Sequence, residues 1–309
     1  MRSHHTFALL FVITLILALA PTPVSAQEIA STPLASPLPA AQTAIAGDVL
    51  HTSAAFALGP ESLNKPQISK GTSETARPTS ERFEVETGYS YDYLTNGFAP
   101  WHSAHLFVGK RFASRQSIYG IYRETLRVRQ RDREAMVGFY QPLDRRWAVL
   151  FEANASPTHR ILAKWSALAQ VERQLGKGWV GSAGYRRTVF NTAQVNTAVI
   201  SVDRYFSHYR ASYTLNVSGL VGAGTSANHR GQFSRYYGEQ SSSLGVSFAA
   251  GPELENLGIR ILRTSVQSFA VQGRHWINSR WGINYDATMH RQGAIYTRKG
   301  ISVGLRHRF

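Results

Sequence analysis

RFEVETGYSYDYL, residues 82–94, places an apolar or aromatic side chain at nearly every second position and a charged or small polar one between them. Successive side chains of a β-strand point to opposite faces, so this period predicts a strand with one apolar and one polar face. The pattern recurs in WAVLFEANA from residue 147, YRASYTLNVSG from 209 and WGINYDATMH from 281. It predicts an all-β domain.

Fourteen such segments can be counted between residue 82 and the C-terminus. They begin near residues 82, 101, 117, 133, 146, 160, 178, 194, 207, 226, 240, 260, 279 and 297. The alternation is weak near 117, 226 and 260, so twelve or sixteen strands remain open. The segments are separated by turn sequences such as Asn96-Gly97, Gly251-Pro252 and Gln292-Gly293. Many run to about ten residues or more, the length that crosses a membrane at a tilt, whereas the usual strand has about 5–6.

Aromatic residues cluster at the ends of the predicted strands. One group is expected at the periplasmic ends: Phe83, Phe112, Trp147, Trp179, Phe206, Tyr209, Tyr237, Trp276, Trp281 and Phe309. A second group is expected at the opposite rim: Tyr93, Trp101, Phe190 and Tyr296. The two interfaces of a bilayer select such belts, and a sheet edge in hydrocarbon must be closed. The sequence therefore predicts a transmembrane antiparallel up-and-down β-barrel of about 14 strands, with longer outside loops at 221–231 and 252–258.

The N-terminal part has a different character. Arg2, the apolar run from Phe7 to Ala20, and small residues at 24 and 26 predict a secretory signal peptide over residues 1–26. Residues 27–80 are rich in Ala, Ser, Thr and Pro and are expected to form a disordered periplasmic linker, and 81–309 the outer-membrane barrel. The chain has no cysteine, which excludes disulfides and thiolate metal sites.

The formal net charge of +15 belongs to the C-terminal region, because residues 27–80 carry three basic and four acidic residues. An exported basic protein meets anionic glycolipid and polysaccharide rather than nucleic acid. We therefore expect outer-membrane lipid, lipopolysaccharide and an anionic polysaccharide as partners, and no nucleic acid.

KGISVGLRHRF, residues 299–309, ends the chain with a terminal aromatic residue after an alternating strand. Ile301, Val303, Leu305 and Phe309 resemble the C-terminal signal of outer-membrane barrels that the barrel-assembly machinery recognises, with His307 in place of the aromatic commonly found two positions before the end. Together with VDRYFSHYRASYTLNVSG and WGINYDATMHRQGAIYTRKGISVGLRHRF, this region resembles the YaiO-type outer-membrane β-barrel family over about residues 82–309. The resemblance implies location in the outer membrane of a Gram-negative bacterium. Relatives of similar barrels export polysaccharides and often carry an N-terminal tetratricopeptide array, which this sequence does not show.

Charged residues on the polar faces are the candidates for a functional site. The basic candidates for the lumen or rim are Arg123, Arg127, Arg129, Lys164, Arg186 and Arg210, and the acidic ones are Glu84, Glu86, Glu152 and Asp286. The arginines could line an anion-selective lumen, or they could pair with the carboxylates and plug the barrel. Four arginines between 127 and 133 fall at the predicted outer turn between the third and fourth strands, where they either meet lipopolysaccharide phosphates or form a solvated turn.

The function predicted from these features is a non-enzymatic pore or envelope scaffold with a basic lumen, serving anionic solutes or polysaccharide. The alternative is an outer-membrane enzyme, a lipid acyl hydrolase or a protease, with its site at the barrel rim. No cofactor or metal is expected. His102 and His105 lie three apart, so a strand points them to opposite faces, and the glycine-rich stretch at 219–226 lacks the lysine of a phosphate-binding loop.

Overall fold

The computed structural model describes residues 81–112, 115–238, 242–256 and 261–309. The predicted signal peptide (1–26) and linker (27–80) lie outside the described residues. Within the described ranges, no helix is long and apolar enough to cross a membrane.

Fourteen strands follow one another in these described ranges. They are β1 (Arg82–Leu94), β2 (Trp101–Arg111), β3 (Ser117–Arg127), β4 (Gln130–Pro142), β5 (Trp147–Ala155), β6 (Trp165–Gly176), β7 (Trp179–Val189), β8 (Gln194–Phe206), β9 (Tyr209–Leu220), β10 (Gly224–Tyr237), β11 (Ser242–Asn256), β12 (Ile261–Trp276), β13 (Trp281–Gln292) and β14 (Tyr296–Arg308).

Each strand pairs antiparallel with its sequence neighbours, and β1 pairs with β14, so the sheet is a closed barrel. At the closure Glu84 lies opposite Arg308 and Leu94 opposite Arg298. The prediction of a 14-stranded antiparallel barrel is confirmed. We call the end at which β1 begins and β14 ends the terminal end, and the opposite end the far end.

The two faces of the sheet differ as the alternation predicts. On β14, Ile301, Val303 and Leu305 face outward and are 62%, 57% and 46% exposed, while Arg306 faces the lumen and is 1% exposed. The outer surface of β14 therefore presents apolar side chains to lipid along most of its length, and Arg306 of the same strand lies inside.

Some boundaries differ from the prediction. The sixth strand begins at Trp165 rather than near 160, because residues 156–164 form a loop. The loop expected at 221–231 is only 221–223, because the ladder between β9 and β10 continues from Gly219 opposite Thr225 to Leu220 opposite Gly224. Gly251-Pro252 is not a turn: both residues lie within β11 and pair with β12. Of the loop expected at 252–258, residues 252–256 belong to β11 and the others lie outside the described residues.

The aromatic belts are confirmed in part. At the terminal end Phe83, Trp147, Trp179, Phe206, Trp281 and Phe309 lie on the outer surface or at its edge. Tyr93 faces outward at the far end, where it is 54% exposed. Trp101, Tyr296 and Trp276, however, are buried in the lumen, and Phe190 lines an internal cavity. The register explains the error at Trp101, which lies opposite inward-facing Asp92. The position of a residue along a strand predicts its depth in the membrane. Whether its side chain faces lipid or lumen depends instead on its place in the alternation of the strand.

Candidate functional site: the barrel lumen

Two carboxylates of β1 and two arginines of β14 form an ion-pair cluster inside the closure of the barrel. Arg306 contacts Glu86 at 2.5 Å and Glu84 at 3.3 Å, and Arg308 contacts Glu84 at 2.9 Å. His105 lies 3.3 Å from Glu86, which also accepts a hydrogen bond from the amide of Asn284. Charges buried in this way are tolerated because each meets an opposite charge and further hydrogen-bond partners. We call these six residues the closure cluster.

Aromatic side chains fill the far end of the same side of the lumen. Leu94, Trp101 and Tyr296 form a buried apolar cluster. The guanidinium carbons of Arg127 and Arg298 lie 4.6 Å and 5.1 Å from the centre of the Trp101 ring, positions in which a cation is attracted to the aromatic face. The lumen beside β1–β3 and β14 is therefore occupied by packed side chains.

The opposite side of the lumen holds a cavity of about 320 Å³, whose lining extends from β3 to β12. Hydroxyl and amide side chains of β7–β9 contribute much of its wall: Ser182, Thr197, Ser201, Thr214, Asn216 and Ser218. Some bond to each other across strands, with the hydroxyls of Ser182 and Ser201 2.6 Å apart. We call this wall, formed by the inward faces of β6–β10, the polar wall. Its hydroxyl and amide side chains can donate and accept hydrogen bonds without carrying a charge. The same wall also includes charged residues such as Arg186 and Arg210 and apolar residues such as Val199.

Arginines that line the cavity face carboxylates. Arg123 donates a hydrogen bond to Glu134 at 2.9 Å. Arg186 lies 3.3 Å from Glu152, which also accepts a 2.6 Å hydrogen bond from the hydroxyl of Tyr119. Each pair crosses between neighbouring or nearby strands, so it braces the wall as well as neutralising its charge.

A third pair lies deeper at the terminal end. Arg210 contacts Asp203 at 2.8 Å, and both side chains are buried. The pairing interpretation therefore describes Arg123, Arg186 and Arg210. Of the acidic candidates, Glu152 pairs with Arg186, and Glu84 and Glu86 pair with Arg306 and Arg308.

One loop folds into the far end of the lumen and is held there by a single carboxylate. Asp132 is fully buried and accepts backbone N–H bonds from Arg160, Ile161 and Leu162 at 3.0, 2.6 and 2.9 Å. Leu162 and the next residue line the cavity. We call residues 156–164, the β5–β6 loop, the inner loop.

The remaining candidates lie apart from the cavity wall. Arg129 is exposed in the turn between β3 and β4, so it does not share the inward face of β3 with Arg123 and Arg127. Lys164 is exposed in the inner loop, and Asp286 faces the lumen on β13. Of the arginine run at the outer turn, Arg131 and Arg133 face outward and pair with Glu124.

Sequence reasoning missed several acidic residues of the lumen, among them Asp132, Glu134 and Asp203. A usable signal existed for Glu134, which lies directly opposite Arg123 once the β3–β4 turn is placed at residues 128–129. Asp203 lies one step diagonally from Arg210 across the two-residue turn between β8 and β9. The role of Asp132 depends on the path of the inner loop, which alternation does not predict.

The enzymatic alternative gains no support from the described part of the chain. Two histidines that could serve a rim site, His102 and His229, face outward and bond to the hydroxyls of Tyr89 and Tyr213 at 2.6 Å. Among the described residues, no group of three or more His, Asp and Glu side chains is placed to hold a metal ion.

Known proteins resemble the chain mainly in fold. Similar solved structures include an anion-selective porin from Comamonas acidovorans (9% identity, 74% of this chain and 99% of that one, TM-score 0.44). A bacterial polysaccharide outer membrane secretin matches with 11% identity over 74% and 98% of the two chains, TM-score 0.46. The outer membrane protein Omp33 of Acinetobacter baumannii matches with 10% identity over 74% and 99%, TM-score 0.45. At such identities and TM-scores, the likeness is no argument for a shared function.

No protein of curated function matches the chain in sequence. The family model of the YaiO membrane beta barrel domain, in contrast, matches residues 82–255, more than half of the chain. The match starts with β1 and runs nearly to the end of β11. The chain is thus an outer-membrane β-barrel with a porin-like fold, and it belongs to the YaiO membrane beta barrel domain family.

Proposed function

We propose that the chain is a passive pore whose passage follows the polar wall and admits polar, carbohydrate-like solutes, with anions favoured only modestly. The observation that carries this proposal is the cavity of about 320 Å³, in which hydroxyl and amide side chains line the wall together with apolar side chains such as Leu168 and Val199 and with ion pairs such as Arg186–Glu152. The hydroxyl and amide groups replace the hydrogen bonds that a hydroxylated solute loses with water, and they bind it weakly enough for release.

Charge selectivity follows from the pairing of the arginines. An arginine opposite a carboxylate contributes little net field at a distance, because the two potentials largely cancel. Since Arg123, Arg186 and Arg210 are all paired, we expect the reversal potential in a salt gradient to indicate a small anion preference rather than a strong one.

The proposed orientation places the terminal end in the periplasm, as even-stranded barrels with short periplasmic turns have it. The predicted linker at 27–80 would then lie in the periplasm, and the inner loop would face the cell exterior. Lipopolysaccharide and exported or imported polysaccharide are the partners that this orientation makes available at the far end.

The test uses refolded protein in planar bilayers and in liposomes loaded with sugars of increasing size. Ser201→Trp places a large ring in the passage, and Ile200→Trp places the same ring on the lipid face of the same strand. We expect Ser201→Trp to lower conductance and sugar uptake severalfold and Ile200→Trp to leave both unchanged. Folded wild-type protein without conductance above background would contradict the pore and leave a scaffold role.

A further inference from the structure

On the outer surface at the terminal end, two tryptophan rings each have an arginine guanidinium stacked on them. Trp147 on β5 lies opposite Arg173 on β6, and the guanidinium carbon is 4.9 Å from the ring centre. Trp179 on β7 lies opposite Arg204 on β8, with a distance of 5.1 Å. Stacking on a ring fixes the plane of a guanidinium and leaves N–H groups at its edge for another partner.

These arginines have no acidic partner among the residues that the structure describes. The adjoining turns add the exposed residues Arg145, Arg146 and Lys177 to the same surface. Asp144, which lies in one of these turns, is engaged by the backbone N–H groups of residues 146 and 147. The surface is therefore strongly cationic, unlike the lumen, where arginines face carboxylates.

A notch separates the two arginines. Gly181 on β7 faces outward opposite Arg173 and presents no side chain, and Leu175 lies beside it with 58% of its surface exposed. Arg173 and Arg204 are two strands and about two residues apart, so their Cα atoms are roughly 12 Å from each other by the spacing of β-strands. Two arginine side chains can approach one ligand group from either side of such a gap.

We propose that this surface, the Gly181 notch, binds the headgroup phosphate of an anionic phospholipid such as phosphatidylglycerol. The guanidinium groups of Arg173 and Arg204 can each donate two parallel N–H hydrogen bonds to phosphate oxygens. Trp147 and Trp179 place the site at the headgroup level, where indole rings concentrate. Leu175 supplies an apolar surface for the start of an acyl chain, and the surplus of cations favours an anionic over a zwitterionic lipid.

The choice of phospholipid over lipopolysaccharide rests on the orientation proposed above, because phospholipid occupies the periplasmic leaflet. The phosphate chemistry itself does not depend on the pore. A barrel that does not conduct would still bind the lipid, so the two proposals fail separately.

The test is native mass spectrometry of the folded protein released from vesicles of phosphatidylethanolamine with phosphatidylglycerol. The variants are Arg173→Gln/Arg204→Gln, which removes the two guanidinium groups, and Gly181→Leu, which fills the notch and keeps the charge. A Cβ at Gly181 would come no closer than 3.5 Å to Leu175, so the second variant is expected to fold. The control Arg187→Gln/Lys299→Gln removes two outward charges at the far end.

We expect wild-type and control proteins to retain phosphatidylglycerol, and both notch variants to retain at least fivefold less. Equal retention by the notch variants and the control would overturn the proposal. Retention of phosphatidylethanolamine as strong as that of phosphatidylglycerol would overturn it too. In vesicles that also contain lipopolysaccharide, retention of lipopolysaccharide through Arg173 and Arg204 would show that the lipid class is wrong.

Discussion

At the scale of single residues, the most consequential charge is the carboxylate of Glu86. It is 3% exposed and contacts Arg306, His105 and Asn284. Glu86→Gln would leave Arg306 buried with too little negative charge, which typically costs about 3–5 kcal/mol. We expect the free energy of unfolding in lipid vesicles to fall by that amount, as measured by urea titration.

A matched control is Glu124→Gln, which removes the acid of an exposed ion pair with Arg131 and Arg133 and should cost less than about 1 kcal/mol. The double change Glu86→Leu/Arg306→Met should recover most of the loss, because no unpaired charge remains. Equal effects of Glu86→Gln and Glu124→Gln would show that the closure cluster is not a buried ion-pair network.

Asp132 provides a second prediction at the same scale. Asp132→Ala removes the acceptor of three N–H bonds, and hydrogen bonds to a charged group are worth about 1.5–3 kcal/mol each. We expect the inner loop to leave the lumen and trypsin cleavage after Arg160 or Lys164 to become at least tenfold faster. Asp144→Ala, in a turn at the other end of the barrel, should leave the cleavage pattern of this loop unchanged. A loop that stays resistant in Asp132→Ala would mean that other contacts hold it.

At the scale of structural elements, the hairpin of β3 and β4 carries backbone strain. Its two turn residues, Val128 and Arg129, have φ values of 51° and 61°. Such values are unusual for any residue with a side chain and costly for a β-branched one. The turn after β1 has Asn96 and Gly97 at φ values of 64° and 76°, which these residue types adopt readily.

Val128→Asn/Arg129→Gly should therefore stabilise the barrel by about 1–2 kcal/mol, since it removes the strain without touching a strand. The measurement is the urea midpoint in vesicles, with Arg129→Gln as the control for loss of charge. A midpoint shifted equally by Arg129→Gln would attribute the gain to charge instead of backbone conformation.

The last strand yields the next prediction. The backbone N–H of Phe309 donates to the carbonyl of Phe83 at 2.9 Å, and the two rings lie 5.4 Å apart, so the terminal residue contacts the first strand. Deletion of Phe309 should abolish assembly, because both the contact and the recognition signal are lost. Leu305→Asp places a charge on the lipid face and should cost less than the roughly 2–4 kcal/mol of a midplane Arg or Lys.

The readout is the mobility of unheated protein on a gel, where a folded barrel migrates differently from the heated chain. We expect folded protein to vanish in the deletion and to decrease in Leu305→Asp. A deletion that assembles as well as wild-type protein would refute the recognition signal.

The number of strands and most of their starting residues could be predicted from the sequence, because the alternation of each strand is present in its own residues. The count of fourteen and most strand starts were right even for weakly alternating β3, β10 and β12. Arg123, Arg186 and Arg210, three of the basic candidates for the lumen or rim, lie on inward faces. What could not be predicted depends on several strands at once. The register places Trp101 and Tyr296 on the inward face, where arginines of β3 and β14 stack on Trp101. The inner loop returns to a carboxylate 28 residues before it.

At the scale of the whole molecule, the chain must be exported before the barrel can assemble in the outer membrane. If residues 1–26 form a cleaved signal peptide, the mature chain begins at Gln27, and Ala26→Arg should block cleavage because the −1 position requires a small side chain. Mass spectrometry of the outer-membrane fraction is the measurement, with Gln27→Arg as a control outside the −1 and −3 positions. An intact Met1 on the wild-type protein in that fraction would show that the segment is not removed.

The position of the cavity, on the side of the lumen opposite β1–β3 and β14, has a consequence for how the sequence of such a barrel can evolve. The closure cluster and the aromatic packing belong to β1–β3, β13 and β14, whereas the polar wall belongs to β6–β10. If the proposed passage exists, selection on the solutes that it admits acts on one part of the sheet, and selection on barrel closure acts on another. Descendants of this chain can exchange hydroxyl side chains of the polar wall one at a time, while the closure cluster keeps its arginines and carboxylates together.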